Sequence, residues 1–343
     1  MKRLKTLVTG GAGFMGSHLA KGLVERGHVV TVLDDMSGGF PENVDPRARL
    51  IVGSITEDDL IKGVFSEGHF DYIFHLAAYA AEGLSHFIKR FNYENNLIGS
   101  VNLINASVNH GVKCIVFASS IAVYGKNQLP MTEEMIPVPE DPYGIAKLAV
   151  EQELRVSHEM FGVDYVVFRP HNVYGEGQNI GDRYRNVVGI FMNQIMQGQS
   201  MTIFGDGEQT RAFTYIEDVV PVMADAPFNP GALNQVFNVG ADTPYTVNEL
   251  AKKVAEAMGV SANVKYLEAR NEVKHAFPSH RRLYEVFGYT AKVSLEEGLE
   301  RMARWARSVG VKQSKCFDKV EIMKNMPKSW QEEFAPAHAE IRT

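Results

Sequence analysis

The chain has 343 residues, of which 45% are hydrophobic and 22% are charged, and its formal net charge at pH 7 is -6. This composition is ordinary for a globular protein and excludes disordered, collagenous and coiled-coil classes, while the acidic balance without a dense basic run argues against a nucleic-acid partner. No apolar stretch is long enough to span a bilayer, and the N-terminus enters a strand pattern directly, so we expect no membrane segment, no signal peptide and a cytosolic location.

The chain contains two cysteines, Cys114 and Cys316. Two cysteines cannot form a disulfide framework, which favours a reducing compartment. Cys114 lies in an apolar run, so we predict that it is a small core residue. The histidines show no metal-ligand spacing, and we expect no metal site.

Short β-branched runs alternate with helical patterns through the first half of the chain. Glycines suited to a left-handed helix cap follow the predicted helices at Gly27, Gly111 and Gly162. This alternation predicts an α/β fold with a doubly wound parallel sheet of the Rossmann type. The predicted strands are 4–8, 28–33, 49–52, 72–76, 112–118 and 164–168, and the predicted helices include 17–25, 93–109 and 144–160.

The pattern changes after about Arg169. Glycine-rich connections at 174–181 and 204–207 precede helices with capping-box sequences at Thr246/Glu249 and Ser294/Glu297, which predict a smaller α+β lobe. We therefore divide the chain into a Rossmann domain of residues 1–170 and about 212–240, a lobe of about 171–211 and 241–310, and a C-terminal extension, 311–343. The extension carries apolar residues that we expect to pack on the body in part: Cys316, Phe317, Ile322, Met326 and Trp330.

A glycine-rich segment, Thr9–Gly16, follows the first predicted strand and opens the first predicted helix. In this context Gly10 permits a tight turn, Gly13 lets the backbone approach a pyrophosphate, and Gly16 allows the helix to pack on the strand. The helix N-terminus favours negative charge, so we place a dinucleotide here, with Phe14 and Met15 among its contacts. A plain glycine-rich turn is the alternative, which the position between strand and helix disfavours.

Two acidic residues, Asp34 and Asp35, end the second predicted strand. A carboxylate at this distance accepts a hydrogen bond from the adenosine 2′-hydroxyl and repels a 2′-phosphate, which predicts NAD rather than NADP. We choose Asp34 as the ligand and expect its neighbour to be an exposed turn residue.

Tyr143 and Lys147 lie four residues apart at the start of a predicted helix, after Pro142, so their side chains share one face. A nearby ammonium favours the phenolate and lowers a pKa that starts near about 10. This spacing is common by chance, and it gains meaning beside the glycine-rich segment. At the carboxyl edge of the predicted sheet, Ser120 can orient a substrate hydroxyl, whereas we interpret Ser119 as a structural cap.

Together these motifs resemble those of the extended short-chain dehydrogenase/reductases of the NAD-dependent epimerase/dehydratase family, most nearly the UDP-glucose 4-epimerase-like members. The resemblance runs from about residue 5 to 307. Besides the segments above, it rests on His75-Leu76-Ala77-Ala78, Asn95-Asn96 with Gly99, Val123-Tyr124-Gly125, Arg169-Pro170, Asn172-Val173-Tyr174-Gly175, and Gly205-Asp206-Gly207 ahead of Arg211.

The resemblance implies roles for individual residues. Tyr143 would be the base, Lys147 would tune it and hold the nicotinamide ribose, and Ser120 would touch the reacting hydroxyl. The cofactor-lining positions would be Leu76, Ala77, Ala78 and Asn96, together with Ser54 and Ile55, although the family usually has an aspartate where this chain has Ser54. The substrate-binding positions would be Asn172, Arg211 and Arg270. The two arginines would bind the diphosphate, a role that suits bidentate guanidinium groups. We add Glu82 to the substrate-binding positions.

The implied reaction is reversible inversion at C4 of a nucleotide-diphosphate hexose such as UDP-glucose. Tyr143 takes the C4 hydroxyl proton while hydride moves to the nicotinamide, and the resulting 4-keto sugar rotates and receives hydride on its other face. The helices at 93–109 and 144–160 have apolar faces that would allow a homodimer, by analogy with the family.

Several alternatives stay open. Related dehydratases carry an Asp-Glu pair where this chain has Ile121 and Ala122, and related 3,5-epimerases carry a cysteine at the position of Ala122. The histidine before Asn172, His171, nevertheless resembles the pattern of the 3,5-epimerases. Glu82 could substitute as a base. A one-way sugar-nucleotide oxidoreductase and a non-catalytic NAD-binding sensor are further possibilities. Glu82 with His86 could also be a surface pair, and Arg183 and Arg185 could bind phosphate or decorate a loop.

Overall fold

A computed structural model of the chain describes residues 3–270, 272–313, 317 and 319–331. Its centre is a parallel seven-stranded sheet in the order β11-β6-β5-β4-β1-β2-β3. Its strands are β1 (Lys5–Thr9), β2 (Val29–Asp34), β3 (Arg49–Val52), β4 (Tyr72–His75), β5 (Cys114–Ala118), β6 (Asp164–Pro170) and β11 (Gln235–Val239). The predicted doubly wound sheet is confirmed, and strand order reverses between β1 and β4, where such folds bind ligands.

Helices cover both faces of this sheet. One face carries α2 (Asp58–Gly68), α5 (Gly99–Asn109) and α6 (Pro142–Phe161) over an apolar cluster that includes Val64, Leu103 and Leu154. The other carries α1 (Phe14–Glu25) and α8 (Val220–Asp225), and its core continues into the second half of the chain. Cys114 is 2% exposed, which confirms its predicted place in the core.

The second half adds short strands and helices beside the carboxyl edge of the main sheet. Strand β9 pairs antiparallel with β12 and parallel with β14, while β7 pairs with β10 and β8 with β13. The strands are β7 (Val173–Tyr174), β8 (Met201–Phe204), β9 (Thr210–Ala212), β10 (Thr214–Tyr215), β12 (Pro244–Thr246), β13 (Val264–Leu267) and β14 (His275–Ala276). The helices are α7 (Val187–Met196), α9 (Val247–Ala257), α10 (Arg281–Phe287) and α11 (Leu295–Val309).

Helix ends follow the capping signals. Thr246 and Glu249 form the reciprocal capping box that starts α9, and Ser294 accepts a hydrogen bond from the Glu297 amide at the start of α11. The sequence analysis did not predict β11. This strand extends the edge of the sheet by pairing in parallel with β6.

The helix predicted over 93–109 is confirmed, and it contains a π-helical turn. The structure has α4 (Lys89–Tyr93), a π-helical turn at Glu94–Ile98 and then α5, with a short separate helix α3 (Glu82–Ser85) before them. Helical backbone is continuous from Lys89 to Asn109, so the helix begins four residues earlier than predicted. The π turn places Asn96 where its side-chain amide bonds both backbone groups of Tyr79, and such local turns recur at functional sites.

The tail beyond α11 returns to the body. Met326 and Trp330 are 3% and 4% exposed, in line with the expected packing, whereas Ile322 is 37% exposed. Cys316 lies outside the described residues. Of the helices within the described residues, none combines the length and apolar character that crossing a bilayer requires.

Candidate active site

The glycine-rich loop lies at the carboxyl end of β1. Gly10 has φ +69°, and a Cβ there would lie 2.7 Å from the Ala77 backbone nitrogen; a Cβ on Gly16 would lie 2.1 Å from the Gly10 carbonyl oxygen. Helix α1 starts at Phe14 with Gly13 as its N-cap, and no side chain within the described residues caps it. The first-turn amides are therefore placed to bind a pyrophosphate, so this loop fits a dinucleotide.

Asp34 fastens this loop. Its carboxylate is 7% exposed and accepts hydrogen bonds from the Ala12 and Met36 amides, both at 2.9 Å. Burial raises the pKa of Asp34, and those backbone amides oppose the rise. An ionised carboxylate has about four acceptor sites, which leaves capacity for ribose hydroxyls. Asp35 is exposed and bonds the Ser37 amide, as a turn residue would.

The other predicted cofactor positions differ in what they offer. Leu76, Ala77 and Ala78 follow β4 beside the glycine loop. Asn96 is 1% exposed, and its oxygen accepts from the Tyr79 amide (2.8 Å) while its nitrogen donates to the Tyr79 carbonyl (3.1 Å). This geometry gives Asn96 a role in holding the loop after Ala78, and its direct contact with a cofactor stays a prediction.

The β3–α2 connection carries Ser54 and Ile55. The Ser54 amide donates to Glu57 at 2.9 Å, and its hydroxyl pairs with Thr56. Ile55 is 6% exposed and belongs to the core under α5. Its side chain therefore faces the core, so an adenine contact at this position would have to use the backbone.

The predicted catalytic pair lies on the first two turns of α6. Asp141 caps this helix by accepting from the Gly144 amide at 2.9 Å. Tyr143 is 7% exposed and Lys147 is 2% exposed. The Lys147 ammonium donates to the Ala118 carbonyl at 2.8 Å and lies 5.7 Å from the centre of the Tyr143 ring. The structure thus brings the two side chains to the end of β5.

Burial dominates the protonation of this pair. It lowers the pKa of Lys147 to about 7. It raises the pKa of Tyr143 above its ordinary value, a hydrogen bond with Ser120 acts in the opposite direction, and the charge of Glu82 adds to the rise. The predicted lowering of the phenol pKa by the ammonium is therefore wrong for the protein alone, because desolvation of the phenolate outweighs it.

The two serines after β5 have different surroundings. Ser120 caps the 3-10 turn Ile121–Tyr124 by accepting from the Ala122 amide at 3.1 Å, and its hydroxyl also meets Tyr143. Ser119 donates to Glu151, which forms a buried pair with Arg169 at 2.5 Å. Sequence reasoning missed Glu151, although it lies eight residues after Tyr143 and so on the same helix face.

A charged cluster lines the part of the cavity that the sequence predicts to bind substrate. Arg270 donates to Glu272 at 3.1 Å, and Arg211 lies 3.6 Å from the same carboxylate. Glu82 is exposed to the space of the cavity, while protein groups surround its carboxyl on the other sides. Desolvation by these groups raises the pKa of Glu82 to about 7. The charge of Asp141 adds to this rise, and the charges of Arg211 and Arg270 oppose it. Glu272, which the sequence analysis did not single out, joins the two arginines predicted to bind the diphosphate.

Three further side chains border the cavity. Asn172 has φ +39° and donates from its amide to the Ala212 carbonyl at 3.1 Å. His171 lies 3.0 Å from His280, nitrogen to nitrogen, and burial lowers its pKa to about 3. Arg185 donates to Asp182 at 2.6 Å and stacks over Tyr79, so it is held in place and does not extend into solvent.

Part of this set lines one cavity of about 360 Å³. Its wall combines residues of the glycine loop with the catalytic and charged groups: Phe14, Met15, Glu82, Ser120, Tyr143, Asn172, Arg211 and Arg270. Among the residues that the structure describes, no group of three or more His, Cys, Asp or Glu side chains is placed to hold a metal ion.

Comparison with known proteins identifies the architecture. The profile of the NAD dependent epimerase/dehydratase family matches residues 6–240. A putative UDP-glucose 4-epimerase of Methanocaldococcus jannaschii is 32% identical over 307 residues, covering 88% of this chain and 98% of that protein.

Solved structures agree. UDP-glucose 4-epimerase from Thermotoga maritima with UDP-glucose has a TM-score of 0.85 and 37% identity, covering 89% of this chain and 99% of that one. The Thermus thermophilus UDP-glucose 4-epimerase complex with NAD has a TM-score of 0.83 and 32% identity, covering 88% and 98%. The chain belongs to the NAD dependent epimerase/dehydratase family.

Proposed function

We propose that this chain is an NAD-dependent 4-epimerase of a nucleotide-diphosphate hexose, with UDP-glucose and UDP-galactose as the substrate pair. The observation that carries the proposal is that Ser120 and Tyr143 share one cavity with Arg211 and Arg270. Such an arrangement supports the proposal, because a single ligand could then meet side chains suited to proton transfer and side chains suited to diphosphate binding. The relatives named UDP-glucose 4-epimerase support the same choice.

In this proposal the loop from Gly10 to Gly16 binds the pyrophosphate of NAD, and Asp34 binds its adenosine ribose. When bound, NAD would supply the reversible hydride chemistry and a positive ring charge beside the phenol. Lys147, fixed by the Ala118 carbonyl, holds a second positive charge or a hydrogen-bond donor at the same place.

Tyr143 exchanges the proton of the sugar hydroxyl. The free protein keeps Tyr143 as a phenol, since burial raises its pKa. The base form therefore depends on positive charge arriving next to it, which couples proton abstraction to an occupied site. Ser120, which hydrogen-bonds the phenol, orients the same substrate hydroxyl.

Arg211 and Arg270 hold the diphosphate while the hexose turns. The backbone fixes Arg211, which donates to the Val273 carbonyl at 2.6 Å and the Thr210 carbonyl at 2.8 Å. Asn172 and Glu82 border the space left for the sugar. A sugar hydroxyl can donate a hydrogen bond to Glu82 when this residue is ionised and accept one when it is protonated. Both forms are available near neutral pH, because the pKa of Glu82 is raised to about 7.

The alternatives within the family lack groups at the positions their chemistry uses. Ile121 and Ala122 form the start of the 3-10 turn after Ser120, and neither can exchange a proton. Glu82 is one carboxyl group at the cavity that could replace them, so a 3,5-epimerase or dehydratase could use it as a base. A non-catalytic sensor would not need Tyr143, Ser120 and Lys147 together.

We also propose a cytosolic homodimer and the division into a Rossmann domain, a substrate lobe and a C-terminal extension. Apolar side chains on or beside the helices α5 and α6 are between 43% and 71% exposed, which suits helix-to-helix pairing: Ile98, Ile145, Val156, Met160 and Phe161. Sedimentation velocity tests this: a particle of 38.2 kDa, the mass of one chain, would contradict the dimer.

The test of function is a panel of nucleotide sugars followed by carbon-specific NMR of the product. We expect conversion of UDP-glucose into its C4 epimer, with NAD retained by the protein and no NADH beyond the enzyme concentration. Lasting NADH accumulation would identify a one-way oxidoreductase, and loss of water seen by mass spectrometry would identify a dehydratase. If none of the nucleotide sugars in the panel is converted, the proposal is overturned.

A further inference from the structure

The C-terminal strap, defined as residues 317 and 319–331, contacts the wall of the cavity. Phe317 packs on Tyr79 and Phe91, with ring centres 5.2 Å and 5.0 Å apart. The Glu321 carboxylate accepts from the Arg90 and Phe91 amides at the start of α4, both at 2.9 Å. The strap is therefore anchored to the segment between β4 and α5, which borders the cavity.

Trp330 is the strap residue nearest to the substrate side. It is 4% exposed, and its ring meets Tyr184 at 5.5 Å and Phe204 at 6.0 Å between centres. A Cβ built on Gly83, next to Glu82, would lie 3.5 Å from the indole. The indole thus packs among cavity-lining residues from three separate parts of the chain.

Phe204 connects Trp330 to the predicted diphosphate grip. The Arg270 guanidinium lies 4.8 Å from the centre of the Phe204 ring. Its Nη2 donates to Glu272, while its buried Nε has no partner among the described residues. The face of the Phe204 ring attracts the guanidinium, so this ring and Glu272 together hold Arg270 in place.

We propose that Trp330 is a positioning residue for sugar-nucleotide binding, holding Phe204 and through it Arg270 in the geometry that grips the diphosphate. The inference rests on the proposed function, since it takes Arg270 as a diphosphate ligand. It gives the C-terminal strap a part in substrate affinity, with no part in proton transfer at Tyr143.

The test is Trp330→Leu in the full chain, with Kd for UDP measured by calorimetry and kcat and KM measured for UDP-glucose. We expect Kd and KM to rise about tenfold, kcat to stay within about twofold, and bound NAD to be unchanged. Trp330→Phe should restore most of the affinity. The matched control is Trp305→Leu, the other of the two tryptophans, on α11 in the main core, which should leave Kd unchanged.

A second measurement covers the case in which Trp330→Leu does not fold. In the single-tryptophan variant Trp305→Phe, saturation with UDP should shift the fluorescence emission of Trp330. An emission spectrum that does not change on UDP binding would overturn the inference. Equal Kd values for the wild type and a folded Trp330→Leu would overturn it as well. Absence of UDP and UDP-glucose binding by the wild type would instead overturn the proposed function.

Discussion

The loop proposed to bind the cofactor is built from close backbone contacts, whereas the part of the cavity proposed to bind the substrate is built from long charged side chains. Gly10 directly follows β1 and Gly16 lies in the first turn of α1, and the close contacts of both are with backbone atoms. Glu82, Arg211 and Arg270 come from separate segments; both arginines pair with Glu272, and Arg211 also donates to backbone carbonyls. A backbone cradle tolerates almost no added atom, while a side-chain cluster can change its ligand by exchanging one residue.

The largest expected effect concerns the catalytic group between these two sides. Tyr143→Phe removes the proton acceptor while keeping the ring, so turnover should fall by about 10² to 10⁴ with little change in stability. Epimerisation rates and NAD content of the purified variant provide the check. Undiminished turnover would remove Tyr143 from its proposed role.

The backbone side should be the more sensitive to small substitutions. Gly10→Ala places a Cβ 2.7 Å from the Ala77 nitrogen at φ +69°, so we expect a loss of about 3 kcal/mol in the free energy of unfolding and loss of bound NAD. Gly27→Ala is the matched control, because Gly27 also has positive φ (+86°) but no neighbour within 4 Å. It should cost only about 1 kcal/mol. Equal losses in urea unfolding would contradict the cradle argument.

The side-chain cluster should respond in affinity. Arg270→Lys keeps the charge but loses the planar fork and the stacking on Phe204, so KM for UDP-glucose should rise about tenfold with kcat nearly unchanged. Arg281→Lys, whose side chain is 75% exposed, is the control and should leave both constants unchanged. A fall in kcat alone would place Arg270 in the chemical step.

The last prediction concerns the pH dependence of stability. Burial lowers the pKa of His75, which lies between Thr9 and Ser100, to about 3. The unfolded chain therefore binds a proton below about pH 6.5 that the folded chain does not, so stability should fall as pH drops from about 6.5 towards 3, by roughly 1 kcal/mol per pH unit for this group. In urea unfolding of His75→Gln, the free energy of unfolding should depend less steeply on pH than in the wild type. The control His69→Gln, at an exposed position, should keep the pH dependence of the wild type.

The parallel sheet and its glycine loop could be predicted because their signals are local. Strand boundaries came within about two residues, as with 72–76 against Tyr72–His75, because each strand is a contiguous apolar run in the sequence. The helix over 93–109 was predicted as well, but its π turn at Glu94–Ile98 was not, since that turn is accompanied by hydrogen bonds between the Asn96 side chain and the backbone of the distant residue Tyr79.

The residue types that define the chemistry were determined by sequence: a glycine-rich turn after a strand, a tyrosine and a lysine one helical turn apart, and an acid ending the second strand. Tertiary structure alone decided the protonation of Tyr143 and Lys147, the place of Glu272 between two arginines, and the contact of Trp330 with the cavity wall. The reason is physical. Dihedral preference and periodicity act between near neighbours in the chain, whereas desolvation and packing depend on groups that only folding brings together.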